Sequence, residues 1–350
     1  MKKHWIPAFY FPTTTLIVDD SREFLSRFSK GLDKDLAQVH YTSPRDALRA
    51  IHTTTNSDYL IKRCFSECIE NAGYPLTAHT IAVEISEIYQ TIYHAQRFSE
   101  ISVVIVDSSM PGMNGFEFCE CINNRAIKKI LLADGYQERL AINAFNAKTI
   151  DLYFNKNDPF LSKQINQYIR SLQNNYFQIK TNPLNEMLAY SSAQCLLDDK
   201  FALFFKTLCA EHHIVEHYLI ENTGSFLLVD ADGILSCLIV KSRQDLCLHY
   251  ELAADNNAPH TVLEQLENGQ SVPYCWPAHE FCHADSESWP TRLYPAQKLQ
   301  GNDLYYYALM KVPFSQNIKF DKIQPYSNYL KQLAYQYQTS QQPSSLAEAS

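Results

Sequence analysis

The chain has 350 residues, 46% hydrophobic and 13% aromatic, with a net charge of −8. That length supports two domains with separate cores, and only nine glycines exclude collagen-like or linker-rich architectures. The acidic balance excludes a broad DNA-coating surface, and no apolar run reaches the roughly 18–20 residues that a bilayer span needs.

The opening MKKHWIPAFYFPTTT lacks a small-residue cleavage site behind an apolar stretch. The expected location is therefore the cytoplasm, away from any membrane, with the ten cysteines as reduced thiols. Residues 1–13 read as an N-terminal extension, and from residue 14 strand and helix alternate. TTLIVDD is a short apolar run ending in two acids, the pattern of a buried parallel strand. In SREFLSRFSKGL, Ser21 is placed as an N-cap, and Phe24, Phe28 and Leu32 recur at helical spacing. LAQVHYT predicts a second strand, and SPRDALRAIH a helix capped by Ser43 with Pro44 in its first turn.

Residues 53–100 interrupt the rhythm. One apolar stripe runs through Leu60, Cys64, Phe65, Cys68 and Ile69, another through Ile81, Ile85, Ile88, Tyr89 and Ile92. Together they predict an inserted helical pair, with NAGYP as the turn. Alternation then resumes: strand 102–107, helix 115–124, strand 129–133, helix 137–147, strand 150–154, helix 159–175. Five strands with crossover helices predict an α/β, doubly wound parallel sheet over residues 14–178, with a helical insertion at about 53–100.

Near residue 178 the character changes. Helices are predicted at 183–196 and 199–211, followed by short aromatic or β-branched runs: EHYLIE, GSFLLVDADG, ILSCLIVK, VPYCW, TRLYPAQKL and DLYYYALMKV. DADG signals a hairpin. A last amphipathic helix carries Tyr326, Leu330 and Leu333. The expectation is an α+β domain at 179–338 with a mostly antiparallel sheet, then a disordered polar tail at 339–350.

In open parallel sheets, ligands sit at the carboxyl ends of the strands. Asp19 and Asp20 fall at that end of the first predicted strand, Asp107 at that of the third, and Lys156 follows the fifth. Crowded carboxylates raise one another's pKa unless a cation intervenes. A hard divalent ion with oxygen ligands meets that need, and Mg²⁺ keeps several waters and seeks a phosphoryl partner. Acids, metal and lysine together suit placement of a phosphoryl group on a carboxylate.

VDD, VVIVDSSMPGMNG and DLYFNK, in this order, resemble the receiver domain of bacterial two-component response regulators. The resemblance implies that Asp107 accepts a phosphoryl group from a sensor histidine kinase. It also implies that Asp20 ligands Mg²⁺ directly, Asp19 assists, and the backbone carbonyl of Ser109 completes the protein's share. Lys156 would bind the phosphoryl oxygens, and Tyr153 matches the aromatic that rotates inward on activation. Two departures stand out: KKILLADG puts Ala133 where the family carries a Ser or Thr hydroxyl, and Asn157 follows Lys156 where the family has proline. The inserted segment, LAINAFNAKTIDLYFNKNDP and GSFLLVDADG look like the quorum-sensing response regulators of Legionella, which implies virulence or growth-phase control. Phosphorylation is expected to switch either homodimerisation, through helices 137–147 and 159–175, or contacts with the output domain.

The second half carries weaker signals. Tyrosines in DLYYYALMKV, with Lys241, Arg243, Arg292 and Lys298, suggest a nucleotide- or nucleic-acid-binding output module, against the plainer reading of a sheet core. EHHIVEH offers His212, His213, Glu216 and His217 as a metal cluster for a receiver-controlled enzyme, against the end of an ordinary packed helix. Cys275, His279, Cys282 and His283 fit no usual zinc spacing and read as incidental. The leading reading is a signalling protein, not an enzyme.

Overall fold

The structure, a computed structural model, describes residues 5–54, 57–68, 80–134, 137–191, 193–274, 288–311 and 319–341. The chain divides into two units, neither continuous in sequence. One comprises residues 11–58, 95–180 and 324–350, the other 1–10, 59–94 and 181–323.

The first unit is built on a five-stranded sheet. Its elements are β1 (Thr14–Val18), α1 (Arg22–Lys30), β2 (Gln38–Tyr41), α2 (Pro44–Thr54), β3 (Ile101–Asp107), α3 (Gly115–Glu120), β4 (Lys128–Ala133), α4 (Glu138–Asn146), β5 (Leu152–Asn155) and the start of α5 (Leu161–Ser191). The strand order is β2-β1-β3-β4-β5, with every pairing parallel. All residues of β1 and β3 are buried, as continuous apolar runs in a covered parallel sheet must be. Ile17, Val103, Ile105, Ile130 and Leu132 pack with Phe24, Leu25 and Phe28 of α1 and with Leu161, Ile165 and Ile169 of α5. Ser21 caps α1, its hydroxyl accepting from the Phe24 N–H at 3.2 Å.

The helix Tyr326–Gln341 belongs to this unit, although its place in the chain assigns it to the strand-rich half. Tyr326 donates its hydroxyl to the carbonyl of Asp35 at 2.9 Å and accepts the Ala37 N–H at 3.0 Å. The Tyr329 hydroxyl lies 2.9 Å from that of Thr14, and the rings of Tyr326 and Tyr329 both pack on Phe98.

The second unit carries a separate six-stranded antiparallel sheet. Its order is Phe9–Tyr10, Ile214–Leu219, Phe226–Asp230, Leu235–Ser242, Leu304–Lys311 and Gln297–Gln300. The N-terminal extension thus supplies an edge strand. Asp230–Gly233 turns the predicted hairpin, with Gly233 at φ 84°.

The stretch expected as a helical pair differs. Helix Ser57–Arg63 is followed by an antiparallel ribbon, Phe65–Cys68 against Thr80–Val83, and then by helix Ser86–Gln90. Thr-Ile-Ala-Val is rich in β-branched residues, and pairing with it holds Phe-Ser-Glu-Cys extended, so strand preference wins over the longer apolar spacing. The NAGYP turn lies outside the described residues. The helices expected at 159–175 and 183–196 are instead one helix, α5, with Pro183 inside it. Proline there removes one N–H from the ladder without ending the helix. Among the described residues, no helix is long and apolar enough to cross a membrane.

Candidate functional site: an acidic pocket at the strand ends

β1 and β3 end side by side, and their last turns carry the acids. Asp19 is fully buried, Asp107 is 4% exposed and Asp20 is exposed. One carboxylate oxygen from each of Asp19, Asp20 and Asp107 lies within 4.8 Å of the others. Lys156, just past β5, reaches in: its Nζ lies 2.6 Å from Asp19 Oδ2 and 2.8 Å from Asp107 Oδ2. The ammonium also sits over the Phe24 ring, 4.6 Å from its centre. Asp19 Oδ1 accepts the N–H of Ser21 at 2.9 Å, fixing that carboxylate against the start of α1.

Burial pushes the Asp107 carboxyl above the ordinary carboxylate range. The hydrogen bond and charge of Lys156 pull the other way, the Asp19 charge adds to the rise, and the Ser109 N–H opposes it. Burial also disfavours the charged Lys156 amine, but its bonds and charges with Asp107 and Asp19 outweigh that and leave it above its usual pKa.

The break after β3 has a local cause. Ser108 N–H makes a last ladder bond to the Leu132 carbonyl at 2.8 Å, and the chain then reaches Gly112 at φ 78°, where a side chain would be strained. Asn114 then forms a capping box with Glu117. Gly115 donates its N–H to the Ser108 carbonyl at 3.1 Å, and a Cβ at Gly115 would lie 2.3 Å from the Asp107 carbonyl oxygen. Only glycine allows the backbone of α3 to pass so close behind Asp107.

The other sequence-derived positions lie on or just beyond β3, β4 and β5. Ala133 is the buried last residue of β4, and its carbonyl accepts the Lys156 N–H at 3.1 Å. Ser109 gives its backbone N–H to Asp107. Tyr153 is half-buried on β5. Its neighbours Leu152 and Phe154 pack into the α1/α5 core.

Gln137 was not singled out from the sequence. Its carboxamide accepts the Ser108 hydroxyl and donates to the Ser109 hydroxyl at 3.0 Å. No motif marks it; only its distance of a few residues beyond a strand end could have drawn attention.

An all-carboxylate donor set is that of a hard divalent cation, and it fits Mg²⁺. Asp19, Asp20 and Asp107 would hold the ion, which would supply charge neutralisation for a phosphoryl group. Among the described residues this is the one cluster with metal-ligand character. The EHHIVEH cluster dissolves: the helix Asp199–Glu211 ends at His212, His213 turns at φ 54°, and Glu216 and His217 lie on a strand. Consecutive strand residues point to opposite faces, so helical i, i+4 spacing does not apply. Cys275, His279, Cys282 and His283 lie outside the described residues.

The basic and aromatic set of the strand-rich half is also rearranged. Lys241 is buried, with Nζ 2.5 Å from Glu221 Oε2. Tyr305 and Tyr306 are both buried, and Tyr307 is half-buried. The plainer sheet-core reading accounts for them.

A parallel five-stranded sheet with three acids and a lysine at its carboxyl edge defines a response regulator carrying a receiver domain. Comparison with solved structures agrees. The chain matches the response regulator LqsR of Legionella pneumophila with a TM-score of 0.79 and 39% identity, over 95% of this chain and 97% of that one. It belongs to that protein's family. A receiver domain protein from Clostridium thermocellum also matches, at 15% identity and a TM-score of 0.29, over 50% of this chain and 98% of that one. No family model and no curated protein matches the sequence.

Proposed function

We propose that the parallel-sheet unit is a (βα)₅ receiver that accepts a phosphoryl group on Asp107 from a sensor histidine kinase, with Mg²⁺ bound beside it. The observation that carries this reading is Lys156 bridging Asp19 and Asp107 with Asp20 alongside. In-line attack by a carboxylate oxygen on a phosphohistidine needs a neutralised, positioned phosphoryl group and little else from the protein. Lys156 supplies a fixed positive charge, and the Ser109 N–H orients the Asp107 carboxylate. Burial keeps water from competing with the acceptor.

The reading extends to a cytoplasmic signalling role, without catalytic turnover of its own, in a quorum-sensing circuit controlling virulence or growth phase. LqsR supports it as a relative over nearly the whole chain. Phosphorylation would shift a pre-existing equilibrium between receiver states and promote a homodimer. The exposed Leu140, Ile142 and Phe145 of α4 are consistent with such an interface.

The test is phosphate uptake from acetyl phosphate with Mg²⁺, followed by light scattering with beryllofluoride as phosphoryl mimic. Wild type takes up label and Asp107→Asn does not. An Asp107→Asn protein labelled to the wild-type level overturns the assignment.

A second reading, a nucleotide-sized ligand on the strand-rich unit, keeps one support. A cleft of about 930 Å³ there is lined by Thr223, Ser242, Arg243, Asp245, Asp303 and Tyr306, among others. Absence of nucleotide binding by the full chain at low salt would remove it.

A further inference from the structure

We propose that Gln137 couples phosphorylation of Asp107 to helix α4, taking over the task of the hydroxyl that Ala133 lacks. The inference rests on Asp107 as phosphoacceptor.

Ala133 ends β4 with a methyl group and offers a phosphoryl oxygen no donor. The donors nearest in the chain follow Asp107 directly. Ser108, only 2% exposed, donates its hydroxyl to Gln137 Oε1. Gln137 Nε2 in turn donates to Ser109 Oγ at 3.0 Å, and Ser109 gives its backbone N–H to Asp107. One carboxamide therefore holds both residues that follow the acceptor.

Gln137 is also the N-cap of α4, at φ −98° and ψ 2°, and its side chain makes no capping bond. A cap residue ordinarily satisfies the free N–H groups of the first turn. Here the carboxamide is committed to the acceptor loop instead. The start of α4 is tethered to the lip of the pocket by a side chain.

The helix is suited to respond. Of its nine residues only Ala141 is buried. Few buried contacts mean a low free energy for local rearrangement. A phosphoryl group brings three strong acceptor oxygens onto Asp107, the residue directly before the two serines that Gln137 holds. These compete for the hydroxyl hydrogen that Ser108 now gives to Gln137. Loss of that bond frees one end of the carboxamide, and α4 loses its tether. Gln137 itself touches neither phosphate nor metal; it is a positioning residue.

The experiment is amide hydrogen exchange on the full chain with Mg²⁺, with and without beryllofluoride, read over residues 138–146. Beryllofluoride uptake is measured separately by fluorine NMR. Wild type should show a change in exchange over this segment on uptake. Gln137→Ala should retain uptake but lose the exchange response by about fivefold or more, the scale of a typical coupling. Adding Ala133→Thr to that variant should restore the response by supplying a strand-end hydroxyl. Ser109→Ala, which leaves Gln137 in place and cuts one of its bonds, should show a smaller loss.

A wild-type response in both Gln137→Ala and Ser109→Ala overturns the proposal while leaving the phosphoacceptor reading intact. No uptake by wild type overturns both, and the separate uptake measurement tells the two failures apart.

Discussion

Lys156 and Lys241 are each held at ion-pair distance from a buried carboxylate, one in each unit of the molecule. Among the described residues Lys241 pairs with one carboxylate, that of Glu221, and also donates to the Thr223 hydroxyl at 3.3 Å; the hydroxyls of Thr223 and Ser225 donate to the same carboxylate oxygen at 2.9 and 3.0 Å. Burial pushes Glu221 up, yet Lys241 and these hydroxyls outweigh it and hold the carboxyl below its usual range. Lys156 instead serves two carboxylates, with a third beside them, and Asp107 stays above its usual range. A buried pair that balances is architecture. A buried group left with surplus negative charge is suited to take a cation. Both places bury their carboxylates, but Lys241 is buried where Lys156 is half-buried, and the number of acids per lysine separates them further.

The largest expected effect strikes the balanced pair. Lys241→Met strands a buried carboxylate, and urea denaturation should show a loss of about 3–5 kcal/mol. Adding Glu221→Gln should recover much of it, because no charge then remains unpaired. A single-variant loss near zero would mean the pair is not structural.

Acid should strike the same unit next. His217 is buried among Phe205, Phe226 and Tyr10, with Nε2 3.1 Å from the Pro7 carbonyl, and burial lowers its pKa to about 4. The unfolded chain binds its proton near pH 6.5, so between there and about 4 unfolding takes up the extra proton. Stability is full above pH 6.5 and declines as pH falls through that window, by up to about 3 kcal/mol. His217→Gln should make this part of the curve shallower, leaving the contributions of His40 and His249 within it and that of Glu221 at lower pH. An unchanged curve would place the titration elsewhere.

The surplus-charge pocket should respond in the opposite sense to added cation. Mg²⁺ at about one hundred times its dissociation constant should stabilise wild type by about 2.7 kcal/mol, read as a thermal shift. Asp20→Asn should reduce that shift. Equal shifts in the two proteins would remove Asp20 from the ligand set.

Much of the pocket is legible in the sequence for a physical reason. A strand buried on both faces must be apolar to its end, so a carboxylate directly after VVIV stands out. The same logic finds Asp19 and Asp20, whereas Lys156 stands out only by its place just past the fifth predicted strand. Gln137 is not legible, because its role depends on a side chain reaching back across a turn to two serines. Gly115 is half legible: MNG marks a turn, but nothing in it shows a backbone passing within contact of Asp107. The ribbon at 65–83 is lost to short segments, since four residues satisfy strand and helix spacing about equally well. The tyrosine run misleads through alternation. One face of a strand is expected to be exposed, whereas Tyr305 and Tyr306 are adjacent and both buried. The return of Tyr326–Gln341 to the parallel-sheet unit rests on contacts with residues about three hundred positions earlier, which no local pattern encodes.

That returning helix has a consequence for synthesis. The parallel sheet leaves the ribosome long before the segment that covers Phe98 and bonds Thr14 and Ala37. Residues 181–323 of the other unit intervene, which at ribosomal speed takes on the order of ten seconds. During that interval the nascent signalling domain waits unfinished. A fragment cut at residue 180 to isolate it would preserve that immature state permanently.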